Sequence, residues 1–365
     1  MGSYIIRRLL LIIPTLFAIM VVNFAVIQIA PGGPVEQVIA QLTGTGADIT
    51  ERVTRSGTSE TLDTGQGNNS NPTYRGAQGL DPEFIKELEK QFGFDKPLPV
   101  RFVDMMKRYL VFDFGDSFFR DRKVTELVLD KMPVSISLGL WTTLLVYLIS
   151  IPLGIRKAIR DGSRFDIWTS SVIILGTAIP SFLFAVFLLV MFAGGSYLDW
   201  FPLARMTGEN WDSLSWPARI VDYFWHLALP VLAMTIGGFA TLTMLTKNSF
   251  LDQINQQYVL TARAKGLTEH RVLYGHVFRN AMLIVIAGFP SAFVGILFTG
   301  SLLIEIIFSL DGLGLLGFEA AFARDYPVMF GTLFFFSLLG LGLNLVGDLM
   351  YMVIDPRIDF ESREV

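Results

Sequence analysis

From Leu9 to Ala30 the chain reads LLLIIPTLFAIMVVNFAVIQIA, with no charge and only Thr15, Asn23 and Gln28 as polar interruptions. A helix needs roughly 20 apolar residues to cross a hydrocarbon core of about 30 Å, and this run meets that length. Further blocks of the same kind follow at Pro133–Ile155, Trp168–Ala193, Trp225–Leu245, Ala281–Phe308 and Val328–Ile354. Lipid offers no partner to a free N–H or C=O, so such blocks read as helices rather than open strands. Their unbroken apolar character excludes the alternating pattern of an outer-membrane barrel. Composition agrees: the 365 residues are 52% hydrophobic and 17% charged, against about 25% charged in a typical soluble domain. Mean hydropathy is +0.50. The expectation is an all-α polytopic membrane protein with six transmembrane helices.

Orientation follows from basic residues, which collect on the cytoplasmic side of short loops. With the N-terminus inside, that side holds Arg7, Arg8, Arg156, Lys157, Arg160, Arg164, Lys247, Arg263, Lys265, Arg271, Arg279, Arg357 and Arg363. The short external segments hold only Arg205, Arg219 and Arg324. Both termini are therefore expected in the cytoplasm. The first apolar run exceeds the core of about 7–15 residues found in a signal peptide, and Pro31 after Ala30 makes a poor cleavage site. A retained helix over 1–30 is expected. Tyr197, Trp200, Trp211, Trp216, Tyr223 and Trp225 fit an interfacial aromatic belt.

Between the first two spans lies an insertion, 31–132. Its part 41–79 is rich in Gly, Thr, Ser and Asn, buries little, and reads as flexible. Its part 80–132 reads as a small helical subdomain. Asp81-Pro82 supplies an N-cap and a first-turn proline, followed by helices ending at Gly93, over about 99–109 and over 123–131. The core 133–354 carries five spans, and 355–365 forms a tail. Prolines within spans (Pro14, Pro152, Pro180, Pro230, Pro290) and dense glycines in the later spans indicate a bendable, closely packed bundle. No repeat of about 20–50 residues is present, and no symmetry relates the first three spans to the last three, which weakens an inverted-repeat secondary transporter.

Several chemistries are excluded. There is no cysteine, so no disulfide or thiolate metal site exists. His226, His270 and His276 form no ligand set, so neither a metal nor a catalytic centre is expected. Gly312-Leu313-Gly314-Leu315-Leu316-Gly317 matches G-x-G-x-x-G, yet no strand precedes it and no acidic residue follows at the required distance. It reads as a turn between spans. No P-loop motif occurs, so the chain is not its own P-loop motor. Polar residues within spans are Asn23, Gln28, Glu305, Asn344 and Asp348. An intramembrane carboxylate usually faces a cavity or a partner. These five are candidates for a substrate pathway or gate, or for structural hydrogen bonding and interfacial placement.

The loop 246–280 is the most informative segment. Within it, Tyr258-Val259-Leu260-Thr261-Ala262-Arg263-Ala264-Lys265-Gly266-Leu267 places Tyr258, Ala262 and Lys265 at i, i+4 and i+7 of a short helix. Gly266 is positioned to end that helix and Thr268 to cap the next. The loop is either an ordinary basic connector or a surface that another protein approaches closely.

Tyr258–Leu267, followed by His276-Val277-Phe278-Arg279-Asn280, resembles the EAA loop of ABC importer permeases in the dipeptide and oligopeptide form. The resemblance extends through Arg7–Leu10, Ala30–Gly33, Phe92–Pro97, Asp113–Ser117, Ser301–Gly314, Arg324–Pro327 and Asp355–Ile358. The insertion with Pro72–Gly76 resembles the Yej-type subgroup, linked to microcin C and oligopeptide uptake. Leu260-Thr261-Ala262 stands where the general motif has Glu-Ala-Ala, a departure usual for peptide permeases.

The resemblance implies a type I ABC importer permease architecture and a transport subunit without enzymatic activity. It implies a second, homologous permease subunit in a heterodimer, and two ABC ATPase subunits or one fused ATPase. ATP and magnesium would bind those partners, leaving this chain without a cofactor. A periplasmic solute-binding protein would deliver a peptide substrate, with membrane lipid around the bundle and no nucleic acid involved. Tyr258, Thr261, Ala262, Arg263, Ala264, Lys265, Gly266 and Leu267 would form the ATPase-coupling surface in the inner membrane permease. An ion-coupled secondary transporter is the alternative.

Overall fold

A computed structural model of the protein describes residues 2–29, 33–35, 38–39, 82–91, 94–193, 197–289, 292 and 302–354. The expectations for 41–79, for Asp81, for Phe92-Gly93, for Pro290 and for the tail from 355 fall outside the described residues. Within them, regular structure is helical, with one isolated bridge pairing Asp116 and Lys123. The helices are α1 (Gly2–Ile29), α2 (Pro82–Gln91), α3 (Leu98–Tyr109), α4 (Val124–Ile159), α5 (Arg164–Ala178) and α6 (Ser181–Phe192). They continue with α7 (Trp216–Ile254), α8 (Gln257–Ala264), α9 (Glu269–Val272), α10 (Phe278–Ala287), α11 (Leu302–Ile307), α12 (Leu313–Ala323) and α13 (Tyr326–Ile354).

Among the described residues, 4 helices are long and apolar enough to cross a membrane: Tyr4–Gln28, Val124–Ile159, Trp216–Ile254 and Tyr326–Met350. The block Trp168–Ala193, expected as one span with a proline inside it, is the pair α5 and α6, bent by 92°. Pro180 explains the break. Its ring has no N–H to donate and pushes Ile179 out of the helical region, and Ile179 sits extended at φ −91 and ψ 117. The block Ala281–Phe308 is described only at its ends, in α10 and α11.

Two further expectations are corrected. The separate helix over 123–131 and the span from Pro133 form one helix, α4, of 36 residues. Proline removes one backbone hydrogen bond but its fixed φ is helical, so the chain passes through Pro133. The glycine-rich stretch 312–317 is not a turn but the start of α12. Gly312 is required there by close approach, because a Cβ would lie 2.4 Å from the Glu305 carboxylate.

The chain divides into two compact units. One comprises Pro14–Asp130 and Leu316–Phe335. Its centre is aromatic: Tyr109 meets Phe114 at 4.9 Å and Phe334 at 5.4 Å, both edge-on. Two motifs singled out in the sequence meet here. The Ser117 hydroxyl donates to the buried Asp325 carboxylate, which also accepts the Phe118 N–H at 3.1 Å. Gly331 completes the contact, since a Cβ would come within 2.7 Å of Val124. Asp113 accepts from Arg108 at 2.8 Å and from the Gly115 N–H at 3.1 Å. These bonds, the guanidinium first, hold its carboxyl below the usual carboxylate range.

The other unit comprises Met1–Ile13, Lys131–Leu315 and Phe336–Val365. Its two cores sit at opposite ends of α4 and α7. One gathers Leu138, Ala185, Leu188, Leu227, Ala233 and Ile304. The other gathers Ile155, Phe250, Val259, Val272, Val277 and Ala281. At the second core α4 and α7 pack closely at Gly154, where a Cβ would lie 2.6 Å from Thr246. Small residues let membrane helices approach in this way.

Candidate functional site

The loop between α7 and α10 is an ordered structure. The short helix α8 ends in a left-handed Gly266 at φ +80. The Gly266 N–H donates to the Arg263 carbonyl at 2.9 Å, and the Leu267 N–H donates to the Ala262 carbonyl at 3.3 Å. This pair of bonds is a Schellman cap, which a glycine at this position permits without steric strain. Arg263 then reaches across the turn to Glu269 through two bonds of 2.9 and 3.0 Å. The chain continues through α9 and a π-helical turn, Leu273–Val277, into α10.

Burial defines which face is available. Val259 and Ala262 point inward, 1% and 7% exposed, and join the core of α4, α7 and α10. Tyr258 is half-buried, and its hydroxyl donates to Gln253 at 2.9 Å. The expected grouping of Tyr258, Ala262 and Lys265 on one outward face therefore does not form, because Ala262 is used for packing. The outward face holds Leu260, Thr261, Arg263, Ala264, Lys265 and Gly266, with Leu260 60% exposed.

Behind this surface stands an ion-paired frame that sequence reading missed. Lys157 is fully buried, with its ammonium 2.9 Å from Asp166 Oδ1, 2.9 Å from Thr169 Oγ1 and 2.7 Å from Ser170 Oγ. Lys247 pairs with Asp166 at 2.7 Å and with Asp161 at 2.8 Å. Two lysines and two aspartates cancel in charge and tie α4, α5 and α7 together. Lys157 and Lys247 had counted only as loop cations. The signal lay in Asp161 and Asp166, acidic residues inside an otherwise basic segment.

The polar span residues each have their own surroundings. Glu305 is fully buried, receives the Leu315 N–H at 2.7 Å and lies 3.4 Å from the Ser135 hydroxyl. Ser135 in turn receives the Leu313 N–H at 2.8 Å. Together they cap the N-terminus of α12, where free N–H groups and the helix dipole favour a carboxylate. Asp348 lies 3.0 Å from Arg8 and accepts from Tyr4 at 3.1 Å, clamping the start of α1 to α13. Asn23 donates to the Ile19 carbonyl of its own helix at 2.8 Å. The Gln28 amide nitrogen is buried without a hydrogen-bond partner among the described residues. Asn344 is exposed on α13.

With this geometry in hand, comparison with known proteins is informative. Residues 150–360 match the family described as "Binding-protein-dependent transport system inner membrane component". The chain is 62% identical over 366 residues to the "Peptidoglycan transport system permease protein YejB" of Agrobacterium fabrum, covering 100% of both. It is 60% identical over 364 residues to the "Inner membrane ABC transporter permease protein YejB" of Escherichia coli O157:H7, again covering 100% of both. The "Oligopeptide transport system permease protein AppB" of Bacillus subtilis is 32% identical across 99% of this chain and 100% of that protein. In fold, the chain is similar to a chain of the MetNI methionine ABC transporter in inward facing conformations. The TM-score is 0.50 at 13% identity, covering 63% of this chain and 97% of that one.

Proposed function

We propose, because this chain belongs to the family of binding-protein-dependent transport system inner membrane components, that it is the permease subunit of an ATP-driven importer of oligopeptides or peptide-like compounds. The names of its relatives, a peptidoglycan and an oligopeptide transport system permease, support a peptide or peptide-like cargo. Microcin C is a further cargo of the same chemical class.

The observation that carries this reading is the build of α8. Its inner face is keyed into the helix bundle through Val259 and Ala262, while its outer face presents Leu260, Thr261, Ala264 and Lys265. A rigid, short helix seated on several spans is what a coupling element requires, because displacement of the helix then moves the spans with it. In this proposal two ATPase subunits, or one fused ATPase, bind ATP and magnesium and press on α8. A second permease subunit completes a heterodimer, and a periplasmic binding protein delivers the peptide. The path opens alternately to either side, and both termini lie in the cytoplasm.

The ion-coupled alternative needs a carboxylate free to exchange its ion. Glu305 caps α12 and Asp348 is paired with Arg8, so both have structural work. The direct test is a deletion strain. It should resist microcin C and fail to use defined oligopeptides, and Gly266→Trp should reproduce the defect with normal amounts of protein in the membrane. Full sensitivity and growth in the deletion strain would overturn the cargo assignment.

A further inference from the structure

In the unit that holds α3, a pocket of about 210 Å³ opens between that helix, α1 and the start of α13. Phe24 of α1, Tyr109 of α3 and Phe330 of α13 contribute apolar lining, and Lys96, Arg101 and Arg108 contribute charge. Phe24 stacks on Phe330 at 5.8 Å, so the pocket lies near the ends of the spans Tyr4–Gln28 and Tyr326–Met350. Phe102 of α3 packs edge-on against Phe17 and Phe24 at 5.8 and 5.2 Å, which sets α3 alongside a span.

The two sides of α3 differ in chemistry. Arg101, Asp104 and Arg108, at i, i+3 and i+7, share the face that lines the pocket. Val103, Met106 and Leu110, at the same spacing, share another, and Val103 and Leu110 are exposed. A helix of this kind beside membrane spans lies in the bilayer surface, its charged side at the level of the lipid phosphates.

Charge in the pocket does not cancel. Lys96 is paired with Asp104 at 3.1 Å and Arg108 with Asp113 at 2.8 Å. Arg101 is half-buried, and among the described residues its guanidinium has neither a hydrogen-bond acceptor nor a carboxylate partner. Its Cζ lies 3.9 Å from the centre of the Phe94 ring. Stacking occupies the face of a guanidinium and leaves the N–H groups at its edge for an acceptor. The volume is below the range of about 300–1,000 Å³ typical of whole-ligand sites, so an occupant enters by one end.

We propose that this pocket takes the phosphodiester of an anionic phospholipid, held by Arg101, with the acyl chains in the adjoining bilayer. A single phosphodiester charge matches the single uncompensated guanidinium, whose forked donors can grip a phosphate through two bonds. A zwitterionic headgroup fits less well, because its ammonium needs a carboxylate and Asp104 is already paired with Lys96. Basic pockets beside membrane helices bind lipid headgroups on these terms. Nothing in the site depends on the cargo; α1 and α13 need only cross a bilayer.

The test uses the full-length chain within its complete transporter, stripped of lipid in detergent. It is titrated with phosphatidylglycerol or phosphatidylethanolamine, and the tightest-bound equivalent is followed by native mass spectrometry. Phosphatidylglycerol should bind more tightly, and Arg101→Gln should weaken it by about tenfold to a hundredfold, the loss of charge-assisted hydrogen bonds. Arg101→Lys keeps the charge without the fork and should fall between. Lys107→Gln removes an exposed charge of α3 outside the pocket and should leave binding level. Unchanged affinity in Arg101→Gln, or an equal loss in Lys107→Gln, overturns the site in favour of general surface attraction. Equal affinity for the two lipids overturns it as well, and so does displacement of phosphatidylglycerol by inorganic phosphate at similar concentration, which marks a site for a free anion. Should Arg101→Gln fail to fold, Met105→Trp keeps every charge while narrowing the pocket, and unchanged affinity in that variant contradicts the proposal.

Discussion

Two polar regions lie along α4 and α7, and they are built on opposite principles. Around Lys157 and Lys247 the charges have ion-pair partners: Lys157 lies 2.9 Å from Asp166, and Lys247 lies 2.7 Å from Asp166 and 2.8 Å from Asp161. Around Thr142 and Thr143, fully buried hydroxyls have none among the described residues. Low dielectric strengthens a satisfied network and penalises an unsatisfied group. The first region therefore holds the fold together, and the second costs it stability. The ion pairs join α4, α5 and α7, and the two threonines lie further along α4.

The comparison breaks most sharply at the frame. Lys157→Met leaves the buried Asp166 with one partner fewer and should destabilise the folded protein by about 3–5 kcal/mol, read as a lower thermal midpoint in detergent. A change near zero would mean the quartet is not a frame. Glu305→Ala removes the acceptor for the Leu315 N–H and should destabilise by about 1–3 kcal/mol. Glu305→Gln retains an acceptor, and a capping role predicts that peptide uptake persists in it. Abolished uptake with an intact fold would instead point to an ion-coupling carboxylate. At the threonines the sign reverses. Thr142→Val removes an unpaired buried hydroxyl and should stabilise by about 1 kcal/mol; a loss of stability would reveal a partner for that hydroxyl.

The smallest effect is expected at Asp113, an exposed carboxylate in the other unit. Its folded-state pKa is depressed by Arg108 and the Gly115 N–H. It therefore contributes stability above its ordinary unfolded value of about 4, and that contribution disappears as pH falls through the lower folded value. The midpoint of the unmodified protein should drop slightly more between pH 7 and pH 3 than that of Asp113→Asn. Identical drops would show that the turn draws no stability from the charge.

Much of this was legible in the sequence. Run length and the cost of free backbone groups in lipid fixed the long helices, because neither depends on tertiary detail. Gly266 announced the end of α8, since a left-handed residue at that position is a local requirement. What escaped depends on distant partners. The bend at Ile179-Pro180 was hidden inside an unbroken apolar block, where proline permits either a kink or a break. The roles of Glu305 and Ser135 follow from α12, whose start looked like a glycine turn. Lys157 carried only a count of charge until Asp166 was seen beside it. The inward turn of Ala262 depends on the core that α8 meets, which helical spacing alone does not specify.

The central claim is that α8 and its glycine cap pass the ATPase stroke into the membrane helices, and one experiment addresses it directly. In vesicles holding the complete importer, peptide uptake and ATP hydrolysis are measured together for the unmodified chain and for Gly266→Trp. The substitution forces an L residue into a left-handed position, a strain of about 1–2 kcal/mol, and adds bulk at an exposed position where a Cβ meets nothing within 4 Å. The account predicts that peptide moved per ATP hydrolysed falls by at least about tenfold, as expected when an interface contact of roughly 1.4 kcal/mol or more is lost, in protein that inserts normally. An unchanged ratio of peptide to ATP would contradict it.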